Sequence, residues 1–308
     1  MTDSEVHVNG SGTTDAGMKW SAHIEMETDA GSSGNDETWV RFSGSWGQIN
    51  LGTEDGAEDL MEYHSSSAHK AGDGGVDGDF YDAIDWNAAN PRFAAGAKLA
   101  QDSGDDPKIT YFTPRVGGLQ AGVSFTPDLG GNGRNTSADD AASDDFQSSW
   151  GFGVNFVQKI GGAKVQVSAV GHIADHEDDD ATPDEELRAW AVGAAVNYGN
   201  WAVGGSYQDV GDGGELKSVG DDDATSWNVG VGYSQGPVKL GLSYIHAEVE
   251  DPAGGDDEAD AVIFGVTYSL GGGASVYGDF FWFDTDSAAS GGTDNDGVGF
   301  LIGTAVRF

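Results

Sequence analysis

The residues best suited to bind an ion lie between positions 54 and 107. Four aspartates, Asp73, Asp77, Asp79 and Asp82, share a glycine-rich stretch of this segment. Carboxylate oxygens are the ligands that Ca²⁺ prefers. Their spacing does not fit an EF-hand loop, and a chain with 52 Asp and Glu residues produces such groups by chance. We therefore keep two interpretations, a Ca²⁺ site and a solvated acidic segment, and expect no required cofactor.

The spacing of the potential catalytic residues gives little support for an enzyme active site. The chain has no cysteine, which removes thiol chemistry and zinc-thiolate sites, and no H-E-x-x-H motif. His172 and His176 lie four residues apart, a spacing that brings two side chains together only in a helix, whereas a strand is expected here. The sequence predicts that the protein is not an enzyme.

The overall charge limits the partners and the fold. With 52 acidic and 14 basic residues, the net charge of −38 excludes a nucleic-acid partner, because the chain would repel phosphate groups. The 14 Phe, 9 Trp and 9 Tyr are too many for a disordered acidic chain. No apolar run approaches the roughly 20 residues that a membrane helix requires.

Large apolar residues alternate with small or polar residues, with a period of two, along almost the whole chain. In residues 227–234, Trp227, Val229, Val231 and Tyr233 alternate with Asn, Gly, Gly and Ser. This pattern indicates a strand with one apolar face and one small or polar face. A barrel with lipid outside and water inside fits both faces, and it explains the 50 glycines, since inward positions of a wide barrel need not fill a core.

The connections between strands alternate between tight turns and long Asp- and Gly-rich loops, as in outer-membrane barrels. Strands are predicted at 4–13, 17–29, 36–46, 47–54, 107–114, 117–127, 146–160, 161–174, 187–198, 200–210, 224–235, 236–249, 260–270, 273–284 and 297–308. Bacterial single-chain barrels have an even number of strands. We therefore predict an all-β fold, a single domain over 1–308 that forms a sixteen-stranded antiparallel transmembrane β-barrel. Fifteen strands are readable, so either the first strand is absent or truncated, or one short strand is not recognisable from the sequence.

Residues 54–107 form a connection of over fifty residues without sustained alternation, and loops of this length are usually functional or disordered. We interpret it as a loop folded inward to constrict the pore, because its aromatic residues need a place to pack. The predicted constriction sets acidic loop residues against basic or polar wall residues: Glu54, Asp55, Glu58, Asp59 and Glu62 against Lys19, His23 and Arg41. The alternative is a solvated extracellular flap, with Arg41 paired to a neighbouring carboxylate.

Several segments resemble the general porins of α-proteobacteria. They are residues 108–115 (KITYFTPR) with 118–128 (GLQAGVSFTPD), residues 11–18 (SGTTDAGM) and residues 42–52 (FSGSWGQINLG). The terminal Phe308 matches the C-terminal signal read by the barrel-assembly machinery. The resemblance implies a homotrimer in the outer membrane, in contact with lipid and lipopolysaccharide, whose third long loop forms the pore eyelet.

The expected function is therefore passive diffusion of ions and small hydrophilic solutes through a water-filled pore with a weak preference for cations. The alternative is a substrate-specific channel, for example for a sugar. That alternative calls for a ladder of lumen aromatics, for which Tyr277, Phe281 and Phe283 are few.

Overall fold

The structure is a computed structural model. It describes residues 4–28, 34–78, 80, 102–129, 146–176, 186–211, 223–250, 255–287 and 294–307. All structural statements below refer to these residues.

Fifteen strands account for most of the described chain. They are β1 (Glu5–Thr13), β2 (Lys19–Glu27), β3 (Asn35–Gly44), β4 (Gly47–Thr53), β5 (Pro107–Phe112), β6 (Leu119–Asp128), β7 (Phe146–Ile160), β8 (Ala163–His176), β9 (Leu187–Tyr198), β10 (Trp201–Gly211), β11 (Ala224–Gln235), β12 (Val238–Glu250), β13 (Asp256–Gly271), β14 (Ala274–Asp286) and β15 (Asn295–Val306). Each of the fifteen predicted strands is confirmed, with ends that move by a few residues. Two one-turn helices, α1 (Ala57–Leu60) and α2 (Ser66–His69), and a 3-10 turn (Gly75–Asp77) lie between β4 and β5.

The strands form a single antiparallel sheet in sequence order, and every strand pairs with its neighbours in the chain. Within the described residues, β1 pairs with β2 and β15 pairs with β14, so these two strands are the edges of the sheet. Strands of odd number run in the same direction, so β1 and β15 could pair directly only in parallel. One further strand between them would be antiparallel to both. The sixteenth strand therefore stays a prediction.

The two faces of the sheet differ as the alternation predicts. Along β9, Trp190 and Val192 are 43% and 44% exposed, whereas the alternate residues Ala189 and Ala191 are at most 3% exposed. The outer face presents large apolar side chains to the surroundings, as a surface in contact with lipid requires. The buried apolar residues lie on the inner face, around the segment that connects β4 to β5.

Tight turns close one rim of the sheet, and aromatic residues lie beside them. Gly199 and Gly236 occupy turn positions with φ of 59° and 58°, where a side chain would be strained. The rings of Trp201 and Tyr233 contact each other with centroids 4.7 Å apart. Amphipathic rings of this kind favour the membrane–water interface. None of the described helices is long or apolar enough to cross a membrane.

The outer face predicts how a charge would act there. We expect Val192→Arg, near the middle of β9, to lower the free energy of unfolding by about 2–4 kcal/mol, the cost of a cation near the bilayer midplane. Urea titration of the protein folded into lipid vesicles measures this change. Val192→Leu is the matched control and should leave stability nearly unchanged. Equal stabilities of the Arg and Leu variants would mean that this face does not contact lipid.

Candidate functional site

The candidate site is the segment between β4 and β5, whose described part comprises residues 54–78, 80 and 102–106. It runs along the inner face of the sheet from β6 to β14. The segment contains α1, α2 and the 3-10 turn, none longer than four residues. Such short helices leave most backbone N–H groups without intrahelical partners, so these groups need acceptors elsewhere.

Side chains of the sheet supply these acceptors. Five backbone N–H groups of the segment donate to five different strands: Ala57 to Ser124 Oγ (2.6 Å), Tyr63 to Ser168 Oγ (2.9 Å), Ser65 to Asn228 Oδ1 (2.8 Å), Gly72 to Thr267 Oγ1 (2.8 Å) and Asp73 to Asp279 Oδ2 (2.8 Å). Asn155 also donates from its amide to the carbonyl of Met61, at 3.1 Å. A buried hydrogen bond contributes about 1 kcal/mol, so together these bonds fix the path of the segment.

Glycines of the sheet make room for the segment. A Cβ on Gly193 would lie 1.6 Å from the carbonyl oxygen of Tyr63, and one on Gly232 would lie 2.1 Å from that of Ala68. At these positions glycine is required by the close approach of the inner segment.

Lys108 joins the two ends of the segment. Its ammonium group donates to the carbonyl of Glu54 (2.7 Å) at the start, and to those of Ser103 (3.3 Å) and Gly104 (2.5 Å) at the end. The side chain is 7% exposed. Lys108 is not among the predicted site residues, although a lysine at an inward position of β5, directly after the long connection, indicates such a role.

The first carboxylate of the segment pairs with a wall arginine. Arg41 Nη2 donates to Glu54 Oε1 at 2.7 Å, and Arg41 also stacks on Trp39, 4.4 Å from the ring centroid. Asn50 donates to the other oxygen of Glu54 at 2.5 Å. Burial raises the pKa of the Glu54 carboxyl, and the charge of Arg41 opposes this effect. Arg41 therefore pairs with a neighbouring carboxylate, as expected if the segment were a solvated extracellular flap. The segment itself, however, lies against the inner face of the sheet.

The other predicted constriction residues divide into two groups. Glu58 is fully buried and Glu62 is 7% exposed, and Ser103 donates to Glu58 Oε1 at 2.5 Å. Asp55 and Asp59 are partly buried, and one carboxylate oxygen of Asp59, Oδ2, is itself buried. The structure therefore buries Glu58 and Glu62 and leaves Asp55 and Asp59 partly exposed.

On the wall, the predicted basic and polar residues also separate. Lys19 is exposed beside a tight turn, paired in register with Ser43. His23 stacks on Trp39, with ring centroids 5.1 Å apart, and so belongs to the same patch as Arg41.

The predicted Ca²⁺ site is only partly within the described residues. The backbone N–H of Asp73 donates to Asp279, and the carboxylate of Asp279 is 4% exposed. The side chain of Asp77 and all of Asp79, Asp82 and the terminal Phe308 lie outside the described structure. The Ca²⁺ site and the role of Phe308 stay predictions.

Apolar contacts hold the far end of the segment. Phe80 packs on Phe281 with ring centroids 5.8 Å apart, and Val76 belongs to the same buried cluster with Ile245 and Phe283. Phe281 and Phe283 are thus covered by the segment, at 4% and 9% exposure.

His69 occupies a slot on the inner wall. Its Nδ1 hydrogen-bonds the hydroxyl of Ser243, and a Cβ on Gly241 would lie 1.8 Å from its ring. The side chain is 1% exposed. Burial lowers the pKa of His69 from 6.5 to about 4, so the imidazole is neutral when the segment is docked.

Two arrangements of serine deserve comparison with hydrolase sites. Gly232–Gly236 matches the pattern G-x-S-x-G, but it spans the end of β11 and the turn to β12, whereas a nucleophile elbow joins a strand to a helix. Ser149 and His172 hydrogen-bond at 2.5 Å, yet both are fully buried, where no substrate reaches them. Neither arrangement indicates a catalytic site.

A family profile described as Gram-negative porin matches residues 1–288. Among curated proteins, an uncharacterized protein of Rickettsia conorii is 24% identical over 254 aligned positions, which cover 65% of this chain and 56% of the relative. One of Rickettsia felis is 23% identical over 336 positions, covering 86% and 74%. The chain thus spans little more than half the length of the first of these relatives.

Solved structures with a similar fold include an anion-selective porin from Comamonas acidovorans. It has a TM-score of 0.67 and 19% identity, covering 99% of this chain and 88% of that one. OmpT, an outer membrane protein of Vibrio cholerae, has a TM-score of 0.64 and 15% identity, covering 99% and 89%. At such identities the likeness concerns the fold.

The glycine bed predicts a specific sensitivity. We expect Gly193→Ala to displace the segment near Tyr63, because the new Cβ would overlap its carbonyl oxygen, at a cost of about 1–3 kcal/mol. Hydrogen exchange of the amides in 60–66 should become roughly tenfold faster or more, since tenfold corresponds to about 1.4 kcal/mol. Gly171→Ala is the matched control, because a Cβ there meets its nearest atom at 3.4 Å. Equal exchange in both variants would contradict the close approach.

His69 predicts a dependence on pH. The docked segment favours neutral imidazole, so docking is strongest above pH 6.5 and weakens as the pH falls towards about 4, where the docked form also takes up the proton. The loss is about 3 kcal/mol at most, since one pKa unit corresponds to about 1.4 kcal/mol. Hydrogen exchange of the amides in 65–72, corrected for intrinsic rates, should show the loss of protection.

Two variants control this experiment. His69→Gln should remove the dependence on pH in this window. Asp279→Asn tests whether the carboxylate of Asp279 contributes to the same dependence on pH, because this group approaches the same side of Gly265 as His69 does. Protection that stays constant from neutral pH to about pH 4 in the unmodified protein would contradict the prediction.

Proposed function

Because this chain belongs to the Gram-negative porin family, we propose that it is a general outer-membrane porin, through which ions and small hydrophilic solutes diffuse passively. The observation that carries the proposal is the segment 54–80, which is hydrogen-bonded along the inner wall from β6 to β14. A segment held against the inner wall narrows the lumen without blocking it. The width and the electric field beside the segment would then limit solute flow.

A weak preference for cations follows from the distribution of charge. Two cationic groups at the base of the segment are engaged, since Arg41 pairs with Glu54 and Lys108 binds three carbonyls, whereas Lys70 within the segment is exposed. Carboxylates on the inner face of the first strands, together with two partly exposed ones of the segment, outnumber these cationic groups: Glu5, Glu25, Glu27, Asp55 and Asp59. A lumen lined mainly by one sign of charge concentrates ions of the other sign.

The contrast with the porin from Comamonas acidovorans is consistent with this reasoning. That protein is described as anion-selective, and its likeness to this chain concerns the fold. Selectivity depends on side chains in the lumen, and a shared barrel does not fix them.

A substrate-specific channel is the less favoured alternative. A sugar pathway calls for aromatic faces open to the lumen. Phe281 and Phe283 are instead covered by Phe80 and Val76. These aromatics stabilise the segment, which favours the general channel.

The assembly and location are part of the same proposal. We propose a homotrimer in the bacterial outer membrane, in contact with lipid and lipopolysaccharide and inserted by the barrel-assembly machinery through Phe308. The exposed apolar face of strands such as β9 and β11 supports the membrane location. The Ca²⁺ site at Asp73, Asp77, Asp79 and Asp82 remains a proposal of the same kind.

Recording in planar bilayers tests both the channel and its selectivity. The protein should give large ohmic conductance steps, with a reversal potential of the sign expected for cation preference. Replacing both half-buried carboxylates, Asp55→Asn with Asp59→Asn, should lower the cation-to-anion permeability ratio roughly twofold, because two charges leave the lumen.

The control carries the same change of charge away from the segment. Asp15→Asn with Asp256→Asn removes two exposed carboxylates, one at a tight turn and one at the start of β13. It should alter selectivity less than the lumen pair. Absence of conductance would defeat the channel proposal, and an equal effect of both pairs would place Asp55 and Asp59 outside the ion path.

A further inference from the structure

Three side chains with metal-binding atoms converge on the inner face of β1 and β2. Glu25 Oε2 lies 3.0 Å from His7 Nδ1 and 3.0 Å from His23 Nε2. The two ring nitrogens are 3.5 Å apart. The three potential ligand atoms thus form a nearly equilateral triangle.

The strand register produces this arrangement. His7 and Asn9 point to one face of β1, and His23 and Glu25 to the same face of β2, because each pair is separated by one residue. The antiparallel register sets His7 opposite Glu25 and Asn9 opposite His23. Directly opposed residues on one face have neighbouring Cβ atoms, so their side chains meet.

The remaining ring nitrogens are held by acceptors. His7 Nε2 lies 2.9 Å from Glu5 Oε2, and His23 Nδ1 lies 2.8 Å from Asn9 Oδ1. Both oxygens accept hydrogen bonds, so these nitrogens carry the hydrogen in the tautomers that leave His7 Nδ1 and His23 Nε2 able to bind a metal ion. The lone pairs of His7 Nδ1 and His23 Nε2 then face Glu25 and each other. Such orientation of a ligating histidine by a carboxylate or amide is the usual outer shell of a metal site.

We propose that His7, His23 and Glu25 bind a divalent transition-metal ion of the Zn²⁺ class on the wall of the lumen. Three acceptor atoms in mutual contact repel one another unless a proton or a metal cation lies between them, and a divalent ion would satisfy all three at once. With metal–ligand distances of about 2.0–2.2 Å, tetrahedral coordination places ligand atoms about 3.3–3.5 Å apart, close to the separations here. Three protein ligands leave a fourth position for water.

The surroundings favour a cation at this place. Glu5, Glu25 and Asp36 also bring one carboxylate oxygen each within 4.8 Å of one another, so negative charge surrounds the site. Trp39 stacks on His23 and restrains its ring. His7 is 42% exposed, which gives an ion access from the lumen.

The ligand types distinguish this site from the Ca²⁺ site predicted on the segment. Imidazole nitrogen suits Zn²⁺, Cu²⁺ and Ni²⁺, whereas Ca²⁺ and Mg²⁺ prefer oxygen ligands. The many carboxylates of the chain bind hard cations weakly, and an excess of Ca²⁺ can saturate these carboxylates. Zn²⁺ that binds in excess Ca²⁺ then reports on the histidines.

Titration calorimetry with ZnCl₂ tests the proposal on the full chain folded in detergent, with Ca²⁺ in large excess. We expect one Zn²⁺ per chain, and at least tenfold weaker binding in each of His7→Gln and His23→Gln. His246→Gln is the matched control, since His246 also contacts a carboxylate of its sheet neighbour, Asp260 at 3.0 Å, and should bind Zn²⁺ as the unmodified chain does. Circular dichroism and resistance to unfolding in detergent verify that each variant is folded.

Three results would overturn the proposal. They are no stoichiometric uptake of Zn²⁺ by the unmodified chain, full displacement of Zn²⁺ by the excess Ca²⁺, and unchanged affinity in both histidine variants. Binding is measured without ion flow, so these outcomes are independent of the channel proposal.

Discussion

The interior of this protein depends on one set of hydrogen bonds, those from the backbone of residues 57–73 to side chains of the wall. Without regular secondary structure of useful length, the segment would carry unpaired N–H groups into a confined space, which is costly. Ser124, Ser168, Asn228, Thr267 and Asp279 each satisfy one of them. These residues are spread over five strands, and the glycines between them let the backbone approach. The small and polar side chains of the inner face therefore form the surface to which the chain's own segment binds.

The same arrangement separates structural charges from charges available to solutes. Glu54 and Lys108 are used at the root of the segment, and Glu58 is buried against the wall. Asp55 and Asp59 are the members of the acidic set that remain partly exposed. Counting the acidic residues of the segment would therefore overstate the negative charge that it presents to solvent, because Glu54 is paired and Glu58 is buried.

Period-two alternation was sufficient to predict the fifteen strands, and β7, β9 and β11 have the predicted bounds. The inward position of Arg41 also followed from alternation. The burial of Glu58, the role of Lys108 and the slot of His69 could not be predicted in this way. They depend on how a non-repeating segment folds on itself and aligns with the strands, from Ser103 for Glu58 to Ser243 for His69, and alternation carries no information about that alignment. The pairing of His7 with Glu25 needed the register of β1 and β2, which the length of the turn between them sets.

The span of the segment's contacts has a consequence for biogenesis. The bond from Ala57 to Ser124 joins residues 67 positions apart, whereas that from Asp73 to Asp279 joins residues 206 positions apart. The first bond requires β6 and the last requires β14, so the two ends of the segment depend on very different lengths of folded chain. The start of the segment can bind the sheet once β6 has formed, but its far end cannot bind before β14 has joined the sheet. Docking of the whole segment therefore requires nearly all of the fifteen described strands.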